Sequence, residues 1–122
     1  MKDIKTLLQN YYYSRLEYEH RSKHDADYYS CLLLDEEPTE KIRPLIAVES
    51  DILNQLKEDL ETTLKVVGSM KTEKYKTLLL LRYIKNLSWE KIKELTGYNR
   101  QYLRGTMHRA AINEANETKQ TL

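Results

Sequence analysis

The chain has 122 residues, is 40% hydrophobic and 32% charged, and carries a net charge of +1 with one cysteine, three glycines, two prolines and no phenylalanine. That size allows one domain, or one small domain with an appendage, and the single cysteine, Cys31, excludes an internal disulfide framework and fits a reducing cytoplasm. The polar, charged start shows no secretory signal, and the longest apolar runs, such as the four leucines at 78–81, are far too short to span a bilayer.

The first predicted element is a helix over 2–23, where Ile4, Leu8, Tyr11 and Tyr18 recur at helical spacing beside Leu7. Tyr11, Tyr12 and Tyr13 spread aromatic surface around it, which suits packing or self-association better than base stacking, because the neighbours are acidic. Glu17, His20, His24, Asp25 and Asp27 could form a metal cluster only if a third ligand were held firmly. Nothing in the spacing fixes one, so solvated side chains are expected and no metal or other cofactor. Cys31, in the run Cys31-Leu32-Leu33-Leu34, reads as a small core residue. Asp35-Glu36-Glu37-Pro38 reads as a break.

A long helix is expected from about Leu45, with Pro44 suited to its first turn. Leu53, Leu56, Leu60, Thr63 and Val67 form a stripe at steps of three and four, and Gly68 and Ser69 end it. About three heptads is the lower limit for a coiled coil, so a stripe that joins two chains and one that packs within its own domain both stay open. Thr72 is the expected cap of a third helix through Tyr75 and the leucine run to Ile84.

Ser88 to Ile112 reads as a helix-turn-helix. Ser88 caps a helix that would bury Trp89, Ile92 and Leu95, and Gly97 supplies the positive φ that ends it. Asn99 caps a second helix, in which Leu103, Thr106 or Met107, and Ala110 return at helical spacing and can pack against the first. Arg100, Gln101, Arg104, Gly105 and His108 are then expected on its exposed face. Arginine can donate twice to guanine and glutamine can pair with adenine, so Arg100, Gln101, Arg104 and His108 are the candidate base contacts in a major groove. Ser88, Tyr98, Asn99, Lys85, Lys91, Lys93 and Arg109 are the candidate backbone contacts, with Lys71 and Lys74 nearby. The charge distribution agrees: residues 1–70 hold 9 Lys or Arg against 14 Asp or Glu, for −5, and residues 71–122 hold 11 against 5, for +6.

The expected fold is therefore all-α: an N-terminal helix and a long central helix over 1–70, a trihelical helix-turn-helix unit over 71–115, and a fraying tail over 116–122. Double-stranded DNA is the expected partner and no membrane is. No Gly-rich phosphate loop and no nucleophile-base pairing occurs in the sequence, so no enzyme is expected. The competing reading is a non-catalytic interaction module, binding a repressor or polymerase and using the helix-turn-helix as scaffold.

The run from Tyr75 to Ile92, with Leu81-Arg82-Tyr83-Ile84 and Ser88-Trp89-Glu90-Lys91-Ile92, followed by Thr96-Gly97-Tyr98-Asn99 and His108-Arg109-Ala110, resembles small phage-encoded transcriptional regulators of the RinA and ArpU type. Their C-terminal part is similar to region 4 of bacterial sigma factors, and the resemblance covers about 52–112. It implies activation of phage or mobile-element genes in a bacterial cytoplasm, with RNA polymerase as a further partner. A homodimer through the N-terminal half and a monomer tethered by polymerase both fit that layout.

Overall fold

The computed structural model describes the backbone of residues 2–34 and 42–122 and the side chains of 2–23 and 50–122. The described residues form five helices and no strand: α1 (Ile4–Leu34), α2 (Ile42–Gly68), α3 (73–84), α4 (Trp89–Thr96) and α5 (100–121). The fold is all-α, as expected. The acidic break at 35–38 falls outside the described residues, as do the side chains of His24, Asp25, Asp27 and Cys31. No described helix is long and apolar enough to cross a membrane.

The start of α1 is set locally. Asp3 accepts the Thr6 N–H at 2.8 Å, and that bond holds the Asp3 carboxyl below its ordinary pKa. Ile4, Leu7, Leu8 and Tyr11 follow at i, i+3, i+4 and i+7, and all four are buried. They meet the end of α2, where Thr63, Val66 and Val67 are buried, with Met70 just beyond it. The Thr63 hydroxyl donates to the Asp59 carbonyl at 2.8 Å, so its burial leaves no unmet polar group. Lys2 pairs with Asp59 at 2.6 Å across the same contact.

This packing answers part of the question about the Leu53–Val67 stripe. Its C-terminal members, Thr63 and Val67, are buried inside the single chain, whereas Leu53, Leu56 and Leu60 are half-buried. Of the two uses left to the tyrosines, packing or self-association, Tyr11 takes the first and is buried within the chain. Its position, seven residues after Ile4, places it on the same face. Tyr13, 73% exposed, is the member of the tyrosine triplet that faces solvent.

One core draws on all five helices, joining Ile4 and Leu8 to Val66, Leu78, Leu79, Ile92, Leu103, Met107, Ala111 and Ala115. α4 has only eight residues and could not persist alone. Ile92, fully buried, anchors it, a burial that contributes roughly 1.5–3 kcal/mol. Leu95 was expected on that buried face but is 57% exposed. Steps of three fall 60° short of a full revolution each time, so by Leu95 the row begun at Trp89 has turned away from the core.

Two helices contain a widened π turn: Leu80–Ile84 in α3 and Leu103–Met107 in α5. In α3 the Lys85 N–H reaches back five residues to Leu80 O at 2.9 Å, and Asn86, at φ 56°, reverses the chain. Leu87 N–H then closes onto Leu81 O at 3.0 Å, while the Arg82 guanidinium donates to Leu87 O at 2.9 Å. The start of α3 is capped differently from expectation. The Thr72 side chain makes no cap; its hydroxyl and N–H both donate to Glu114 of α5, at 2.8 and 3.1 Å. A carboxylate acceptor gives the stronger bond and sits favourably at a helix N-terminus. α5 also runs on to Thr121, past the expected fraying at Asn116. Buried Ala115, and Lys119 donating to the Lys2 carbonyl, hold its last turns against the start of α1.

Candidate nucleic-acid interface

The turn between α4 and α5 is built by the residues that the sequence marks. Ser88 Oγ accepts the Lys91 N–H at 3.2 Å and opens α4. Gly97 closes it at φ 77°, donating to Lys93 O at 2.8 Å. Asn99 Oδ1 accepts the Gln101 N–H at 2.8 Å and opens α5. Leu103 and Met107 are buried four residues apart, which sets the inward face of α5.

Arg100, Gln101 and Arg104 are exposed together at the front of α5. The Arg100 guanidinium lies 3.3 Å from Glu90 Oε1 of α4, in an open ion pair of small energetic weight. Lys85, at the end of α3, and Lys91 and Lys93, on α4, are also exposed, as are Ser88, Tyr98, Asn99 and Arg109. Lys91 leans toward Glu94 at 3.6 Å. The expected base and backbone contacts are thus exposed, on or beside three elements that pack on one another, with one exception.

His108 is that exception. It was expected on the exposed face with Arg104. It is half-buried, its Nε2 lies 2.6 Å from the Tyr83 hydroxyl in a hydrogen bond, and the Trp89 ring meets it edge-on at 5.6 Å. The π turn is the reason. One extra residue in the turn over 103–107 rotates everything after it by about 100° relative to an unbroken helix. The same rotation explains why Ala111, and not Ala110, is fully buried. Burial holds the imidazole pKa below its ordinary value, with Lys5 and Arg82 adding repulsion, and burial raises that of Tyr83. The Arg82 guanidinium stacks over Trp89 at 4.8 Å from the ring centre. The His108–Tyr83–Trp89 cluster therefore ties α3, α4 and α5 together.

Two features escaped the sequence reading. Tyr102 is exposed on α5, its ring 5.7 Å from that of Tyr98, a pair readable from their spacing of four. Glu90, which holds Arg100, comes from ten residues upstream and has no local signal. Among the described residues no group of three side chains is placed to hold a metal ion.

The fold and surface define an all-α protein that presents a basic, capped helix after a glycine turn. No family model, curated protein or solved structure matches the chain.

Proposed function

We propose that this protein is a sequence-specific, non-catalytic DNA-binding regulator of transcription that reads the major groove with the front of α5. The observation that supports this most is the joint exposure of Arg100, Gln101 and Arg104 on the first turns of a helix whose opposite face is buried by Leu103 and Met107. Arginine and glutamine carry the donor patterns that distinguish base edges, and Lys85, Lys91 and Lys93 supply positive charge beside them for phosphates. His108 is left out of the contact set because Tyr83 and Trp89 hold it. Activation of phage or mobile-element genes, with RNA polymerase as partner, rests on the resemblance to RinA and ArpU regulators alone.

Titration of a fluorescent random-sequence duplex at rising salt tests the reading. Three or more phosphate contacts give log affinity against log salt a slope of about −3 or steeper. No binding at low salt would overturn it and leave the interaction-module reading. One observation favours that second reading: Leu95, Tyr98 and Tyr102 are all exposed near the turn, and large apolar side chains suit a protein partner.

A further inference from the structure

Gly105 stands in the middle of α5, two residues after buried Leu103 and two before buried Met107; it is half-buried, and a Cβ there would point into open space. Three reasons commonly place glycine inside a structured element: a positive φ, a crowded neighbour, or a partner that must come close. The first is absent, because Gly97 is the glycine with a positive φ. The second is absent too, because a Cβ built on Gly105 meets nothing within 4 Å. Within this molecule alanine would fit and would favour the helix. The third reason is left, and the π turn centred on Gly105 agrees with it, since such widened turns concentrate at working surfaces.

We propose that Gly105 is the point at which the reading helix comes closest to duplex DNA. Its bare backbone lies against a base edge on the floor of the major groove, and that depth brings Gln101 and Arg104 within reach of the bases. Gly105 is a positioning residue: it supplies no donor or acceptor from a side chain, and a methyl group there lifts the helix off its site. The inference rests on the DNA-binding reading and adds to it the element's depth and a determinant of specificity.

The test compares the full chain with Gly105→Ala, and with Gly68→Ala as a control, since a Cβ at Gly68 also meets open space but lies at the end of α2. The duplex is one enriched from a random library by the wild-type protein. Gly105→Ala is expected to raise the melting temperature by about 4 °C. It should weaken binding to the enriched duplex at least tenfold, with binding to random duplex held within twofold and its salt slope unchanged. Gly68→Ala should leave both affinities as they are. Wild-type affinity of Gly105→Ala for the enriched duplex would overturn the inference while leaving DNA binding intact. A lower melting temperature would also overturn it, because the glycine would then serve the chain's own π turn. If the wild type enriches no sequence, the DNA-binding reading and this inference fall together.

Discussion

Arg104 and His108 are four residues apart on α5, yet one reaches solvent and the other is held by Tyr83. Their mutants should therefore differ in kind. Arg104→Ala removes an exposed donor pair, so folding stability should hold while binding to the preferred duplex weakens by about 1–3 kcal/mol and base preference relaxes. Competition titration with single-base variants of the duplex checks both parts. His108 should instead act on stability. Its folded pKa lies below the ordinary value, so the unfolded chain takes up the proton first. Its contribution is complete above about pH 6.5 and is lost as pH falls from there toward the folded pKa. Urea unfolding at pH 7.5 and 5.5 should show that loss in the wild type and a smaller one in His108→Gln. Equal losses would place the effect in other groups. Arg104 was legible in the sequence because it lies one turn after a cap. His108 was not, because a π turn is a choice made by packing, and it leaves no pattern in the residues it spans.

At the level of elements, the caps and stops were the readable part. Ser88, Gly97 and Asn99 act through bonds to residues two to four positions away, so local sequence is enough to place α4 and the start of α5. The cap of α3 was not readable, because its acceptor, Glu114, lies 42 residues downstream. The stripe on α2 could be seen, but not what covered it. Only the burial of Tyr11, Thr63 and Val67 assigns the C-terminal end of that face to α1. α4 carries the prediction at this scale. With Lys85 at the end of α3, its exposed Lys91 and Lys93 are the proposed phosphate contacts, and each true one contributes about 0.9 to the salt slope. Replacing all three by alanine should make the slope shallower by about 2–3 and weaken every duplex alike. An unchanged slope would move the phosphate-binding surface elsewhere.

For the whole molecule, the opposed charges of the two sequence halves meet in one structure whose core joins them. The positive half contains α3, α4 and α5, and α1 and α2 pack against α3 and α5. Because Ile4, Leu8, Tyr11, Val66 and Val67 are buried within the single chain, light scattering at micromolar concentration should give a monomer mass. A dimer mass would point to a joining surface that includes exposed Tyr13 and Leu16. If α5 reads DNA as proposed, a monomer needs a second tether for strong occupancy, which the proposed polymerase partner would supply. Whether α5 reads sequence, as proposed, is tested most directly by selection from a random duplex library with the wild-type chain. One enriched motif, bound about 10³-fold tighter than random duplex at the same salt, is the expected result. Binding of every sequence with equal affinity, or of none, would contradict it.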